Sequence, residues 1–326
     1  MSVRYRWAVL ALGAGLGSML WVILAGDEPP PASLLVAAAA APMAALLAVV
    51  GRTGGRLPGR ALVGGGVIGP LVALAGHAIV FAFAAAFILG FRESGRALLD
   101  SLRIDPRLTE ILSSPWVLLL LVDLAVVAPL TEETGKALGA GLARPATRRD
   151  AFVSGVAAGA GFAIIENILY ASVAATVGGP WPAVVVARAM GAAVHPLASG
   201  LVVIGWWDAR HGGGGPSMAR GFFAGAGVHA TWNASMVAVV VAQTGIWVSG
   251  APDLIGTASL AFTGVLGVVA AAVLWWVTGQ VLEPHVPTIE IRASEGRAVA
   301  GWIVLTAGLL VPVAILILAF PSFYAG

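Results

Sequence analysis

Apolar residues in this chain run in long blocks, and the charged residues gather in the short segments between them. A helix rising 1.5 Å per residue needs about 20 apolar residues to cross a hydrocarbon core of about 30 Å. Nine blocks meet or approach that length: 7–26, 32–50, 61–91, 115–141, 151–175, 182–207, 221–243, 257–279 and 299–319. The first follows Arg4 and Arg6 and is long for the apolar part of a signal peptide, so it reads as an uncleaved span. The third exceeds one crossing and contains Gly69-Pro70, which predicts tilt or a break there. Residues 92–114 mix Arg92, Arg96, Arg103 and Arg107 with acids and a partial apolar face, the pattern of an interfacial amphipathic segment.

The predicted fold class is therefore all-α, a polytopic transmembrane helical bundle of about nine spans. Its expected organisation is three spans plus the interfacial segment over 1–114, a catalytic four-helix core over 115–243 and two further spans over 244–326. An apolar fraction of 59%, a charged fraction of 10% and a mean hydropathy of +0.94 exclude an ordinary soluble domain. Alternating nine spans places twelve of the seventeen Arg on one face of the membrane, which predicts a cytoplasmic N-terminus. The net charge of +2 comes mostly from Arg at span ends, positioned for lipid head groups, and gives no support to a nucleic-acid role. No internal repeat is evident. The absence of cysteine excludes disulfides, thiolate nucleophiles and Cys-ligated zinc.

Charge inside a membrane helix marks function by default. Here Glu132, Glu133 and Lys136 lie within one span, Glu166 in the next, His195 with Arg188 in the third, and His229 with Asn233 in the fourth. Depths worked from the helical rise put Glu133, Glu166, His195, His229 and Asn233 between the cytoplasmic third and a little past the midplane, compatible with one shared site. Pairs four apart share a helix face: Glu132 with Lys136, Phe162 with Glu166, and His229 with Asn233. Gly135 with Gly139, Gly155 with Gly159, and Gly221 with Gly225 are small-xxx-small pairs that let helices approach closely.

Two His, an Asn and carboxylates form a nitrogen and oxygen set suited to a divalent metal, zinc first. A metal lowers the pKa of its water, and a carboxylate outside the ligand set takes the proton. A metal-free alternative has a carboxylate activate water while His or Asn steadies the oxyanion. The residues leave both open. Arg188, seven before His195, is read as a counter-ion for Glu166 or a substrate-carbonyl contact. His77 is read as structural, and Asp123 has no evident partner. Gly212 to Gly215 is read as a flexible loop, since no Lys-Ser or Lys-Thr follows to make a phosphate cradle.

Together, Glu132-Glu133-x-x-Lys136, Phe162-x-x-x-Glu166-Asn167, His195 and His229-x-x-x-Asn233 resemble the PrsW family of intramembrane proteases, relatives of the type II CAAX prenyl endopeptidases. The CAAX branch typically shows Glu-Glu-x-x-x-Arg and Phe-x-x-x-His, and this chain departs from both patterns toward PrsW. The resemblance covers 131–233. It implies an intramembrane endopeptidase acting on a membrane protein or peptide substrate, classically a membrane-anchored anti-sigma factor, in a bacterial plasma membrane, with the paired Glu and the His as catalytic or metal-binding groups. The expected roles are Glu132 or Glu133 as general base, Glu166, His195 and His229 as metal ligands, and Asn233 and Arg188 as catalytic support. Two rivals keep the same residues: a proton- or cation-coupled transporter, and a non-proteolytic scaffold that uses the polar groups as packing glue. Oligomeric state is not legible.

Overall fold

The computed structural model describes residues 31–54, 56–101, 115–176, 181–243 and 252–281. The first and ninth expected spans, with residues 102–114, lie outside the described residues. Within them every element is helical and no strand occurs, as a chain that must satisfy its own backbone polar groups in lipid requires. In order, α1 is Pro31–Thr53, α2 Gly59–Ser101, α3 Pro115–Val122, α4 Ala128–Gly141, α5 Arg148–Thr176, α6 Trp181–Met190, α7 Val194–Asp208, α8 Gly214–Gln243 and α9 Pro252–Gln280. A π-helical turn, Asp123–Val127, joins α3 to α4, and a second, Ala209–Gly213, joins α7 to α8.

Among the described residues, four stretches are long and apolar enough to cross a membrane: Gly59–Phe83, Arg148–Ala174, Ala187–Ala238 and Ala261–Gln280. The chain is an integral membrane protein. The apolar window of α5 is 89% buried, against 17% for Gly59–Phe83 and 28% for Ala261–Gln280, so α5 is the central helix and the other two turn broad faces outward. Those outward faces carry Leu71, Leu74, Ile79 and Phe83 on α2 and Phe262, Val265, Val268 and Trp276 on α9, the side chains a lipid-facing surface would carry.

Around α5 stand α1, α2 and α7, while α2 also packs on α4 and α7 on α8. Glycines set those contacts. A Cβ added at Gly139 would strike the Gly64 backbone, at Gly155 the Ser199 carbonyl, and at Gly225 the Ala198 carbonyl. Gly221 meets Gly205 in the same way. All three small-residue pairs read from the sequence thus sit where helix backbones touch.

Three expected boundaries shift. Of the tilt or break expected near Gly69-Pro70, no break occurs: α2 runs through Pro70 to Ser101, absorbing the first ten residues of the expected interfacial segment. The span expected at 182–207 is instead two helices separated at 191–193. The Gly-rich loop narrows to a kink at His211 and Gly212, the latter with φ +110°, and α8 begins at Gly214.

Candidate active site

Two prolines shape the helices that carry the intramembrane charges. Pro129 has no N–H to give an ordinary helical turn, and its ring crowds the carbonyl four residues back. The chain before it opens by one residue into the π turn, where the Ala128 N–H bonds the Asp123 carbonyl. Glu132, Glu133 and Lys136 follow within two turns on α4. Pro196 falls in the first turn of α7, where a missing N–H is harmless and a helix can start but not continue from upstream. The preceding residues turn through three-residue hydrogen bonds, Ala192 N–H to the Ala189 carbonyl at 3.1 Å and Val194 N–H to the Gly191 carbonyl at 2.9 Å. Gly191 abuts the indole of Trp232, which an added Cβ would strike. His195 is thereby the second residue of a new helix, on a backbone pinned against Gly159 of α5.

Lys136, fully buried, is the hub of the site. Its Nζ lies 2.8 Å from Glu133 Oε1, 3.2 Å from Glu132 Oε2 and 3.0 Å from His195 Nδ1, and 3.9 Å above the centre of the Phe162 ring. Both oxygens of Glu133 are engaged. Oε1 also accepts from His229 Nδ1 at 3.0 Å, and Oε2 accepts from the Ser199 hydroxyl at 2.7 Å.

These contacts assign the imidazole tautomers. A carboxylate only accepts, so His229 carries its hydrogen on Nδ1 and presents a lone pair on Nε2. That Nε2 is buried with no hydrogen-bond partner, and it faces Glu132 Oε2 at 3.5 Å. In His195, Lys136 donates to Nδ1, so Nε2 carries the hydrogen and donates to Glu166 Oε2 at 2.9 Å. The two rings meet edge to face with centroids 4.5 Å apart. Arg188 ion-pairs with the same oxygen of Glu166 through Nη2, places Nη2 3.1 Å from His195 Nε2, and donates from Nε to Asn167 Oδ1 at 2.8 Å.

Five residues singled out in sequence, Glu132, Glu133, Glu166, His195 and His229, therefore converge on one buried cluster contributed by α4, α5, α7 and α8. Arg188 joins it as the counter-ion of Glu166. Asn233 does not touch the cluster through its amide nitrogen, which donates to the Leu124 carbonyl in the π turn at 3.0 Å. Ser199 was not foreseen, although a hydroxyl four residues after His195 on one helix face is a readable signal. Asp123, which had no evident partner in sequence, pairs with His77 Nδ1 at 2.8 Å. Nothing in the linear chain marks that pair, since the two lie 46 residues apart on different helices.

Glu132, His195 and His229 each offer one ligand atom, and the three atoms lie within 4.8 Å of one another. Ligand bonds near 2.0–2.2 Å around a single zinc ion set donors apart by a few ångströms, so the spacing suits one shared ion. The orphaned Nε2 of His229 gives the fit a second, independent support: a buried lone pair without a donor is costly unless something binds it.

A family model described as PrsW family intramembrane metalloprotease matches residues 69–278, more than half of the chain. No curated protein and no solved structure matches.

Proposed function

The chain belongs to the PrsW family of intramembrane metalloproteases, and we propose that it hydrolyses a peptide bond of a membrane-anchored protein at a zinc ion held by Glu132, His195 and His229. The observation that carries this reading is the lone pair of His229 Nε2, buried, unpartnered and aimed at Glu132. Three carboxylates, Glu132, Glu133 and Glu166, face two cations, Lys136 and Arg188, so the cluster is formally short of positive charge. That imbalance favours a bound cation.

A divalent ion there would supply Lewis-acid polarisation of the reacting groups. The protein's own groups do the rest. Glu133 accepts the Nδ1–H of His229 and so fixes the ring with Nε2 toward the ligand position, the usual task of a carboxylate behind a metal-binding imidazole. Ser199 and Lys136 hold Glu133 in turn. His195 has both nitrogens engaged, by Lys136 and by Glu166, and joining the ligand set exchanges one of those contacts.

Glu166 is the proposed general base. Its contacts with Arg188 and His195 both fall on Oε2, which leaves Oε1 for water. As the water oxygen bonds to the scissile carbonyl carbon, its proton passes to Glu166, and the same carboxyl returns it to the amide nitrogen as the C–N bond breaks. Arg188 steadies that carboxylate. This assignment exchanges the places expected for Glu132 and Glu166, because Glu132 shares the pocket of His229 Nε2 whereas Glu166 is drawn toward Arg188. The substrate class we propose is a membrane-anchored anti-sigma factor, in a bacterial plasma membrane.

The test is elemental analysis of purified wild type, His229→Ala and Glu132→Gln, alongside cleavage of a membrane-anchored reporter in reconstituted vesicles. Wild type should retain stoichiometric zinc and cleave, and both variants should stay folded, lose zinc and lose cleavage. A wild type that cleaves after exhaustive chelation, or a His229→Ala protein that keeps its zinc, refutes the proposal.

A further inference from the structure

The π turn ahead of α4 leaves one backbone carbonyl without its helical donor. In this turn the Ala128 N–H reaches five residues back to the Asp123 carbonyl. The next rung of that ladder would run from residue 129 to the Leu124 carbonyl, and Pro129 has no N–H to give. A carbonyl at that depth needs a replacement donor, because lipid offers none. The Asn233 carboxamide supplies it: Nδ2 lies 3.0 Å from the Leu124 oxygen. The amide orientation is settled by its partner, since a carbonyl oxygen only accepts.

Asn233 stands one turn after His229 on α8, and Leu124 stands two turns before Glu132 along the span. The bond therefore ties the helix bearing His229 to the one bearing Glu132 and Glu133, on the side of the site away from Lys136. A second tie grips the same turn from α2, where His77 Nδ1 pairs with Asp123. The π turn is thus held from two sides by side chains that take no part in the cluster.

We propose that Asn233 is a positioning residue for hydrolysis: it replaces the hydrogen bond that Pro129 withholds and so fixes the register of His229 against the glutamate pair. This rests on the protease reading only for its effect on turnover; the tie itself is a structural statement tested separately.

The experiment is a double-mutant cycle on the full chain in detergent, with Asn233→Ala, Asn233→Asp, Pro129→Ala and Pro129→Ala/Asn233→Ala, reading both the thermal unfolding midpoint and reporter cleavage per folded molecule. Asn233→Ala and the isosteric Asn233→Asp should both lower the midpoint and reduce kcat by about 10–100-fold with KM little changed, the scale of a misplaced catalytic geometry. Pro129→Ala restores an internal donor, so the further loss on adding Asn233→Ala should shrink to less than half, in midpoint and in kcat alike. Additive losses in either readout overturn the proposal, since they mean that Asn233 acts on something other than the Leu124 carbonyl, such as the reacting carbonyl itself. Retention of activity in Asn233→Asp overturns it too, because aspartate keeps the oxygen and loses the donor. If wild type cleaves no reporter, the protease reading fails, and the midpoints alone still decide the tie: non-additive shifts support it and additive shifts sink it.

Discussion

Lys136→Met is the sharpest perturbation of the hub, since it keeps the length of the side chain and removes its charge. The ammonium sits 2.8 Å from Glu133 and 3.2 Å from Glu132 with no solvent exposure. At an effective dielectric of about 20, each contact is worth roughly 5–6 kcal/mol of Coulomb attraction before desolvation is subtracted. Breaking a buried ion pair by removing one partner costs about 3–5 kcal/mol net, because the survivor is left charged and dry. Here two carboxylates are stranded side by side, and the contacts to His195 Nδ1 and the Phe162 ring are lost as well, so the upper part of that range applies. Against a native stability of about 5–15 kcal/mol this is a large fraction. Glu133→Gln in the Lys136→Met background removes one stranded charge and keeps its shape, and should return about 1–3 kcal/mol. Equilibrium denaturant unfolding in micelles, followed by circular dichroism, measures both. A Lys136→Met protein within about 0.5 kcal/mol of wild type, the range of an ordinary surface change, refutes this role for the ammonium, as does a second substitution that deepens the loss.

Gly159→Ala should push the first turn of α7 off α5, costing about 1–3 kcal/mol by overpacking and lowering reporter cleavage. Gly141→Ala, where an added Cβ meets nothing within 4 Å, is the control and should stay near wild type in thermal unfolding. His77→Leu strands the buried Asp123 carboxylate and should cost about 1–3 kcal/mol with zinc content unchanged, read by unfolding and elemental analysis together; loss of zinc in that variant would place the pair inside the site instead of beside it.

Much of the fold is visible in the linear chain because lipid imposes one rule on every span: apolar length, with charges held at the ends. The observed limits of the span from Pro115 to Gly141 and of α5 follow the apolar blocks closely. The exceptions are instructive. Pro129 and Pro196 lie in plain view inside two expected spans, yet hydropathy is blind to them, since proline interrupts hydrogen bonding without adding charge. One yields a π turn and the other a broken helix, whereas Pro70, equally visible, interrupts nothing. The convergence of Glu133, Glu166, His195 and His229 was legible from their shared depth, whereas Asn233, expected at the same depth, bonds the Leu124 carbonyl instead. Their partnerships were legible only in part: helical spacing lets Lys136 reach both Glu132, four residues before it, and Glu133, three before it, but that it also meets His195 depends on where α7 stands.

By itself the sequence determined that this chain resides in a bilayer as helices and that four of them bear groups hydrocarbon rejects when unpaired, because burial of charge is decided by composition and length alone. Tertiary structure alone decided which nitrogen of each imidazole carries the hydrogen, which carboxylate faces the unused lone pair of His229, and how Asn233 and Asp123 are spent. Those outcomes turn on contacts of about 3 Å between helices, set by glycines that let backbones touch and prolines that shift helical register.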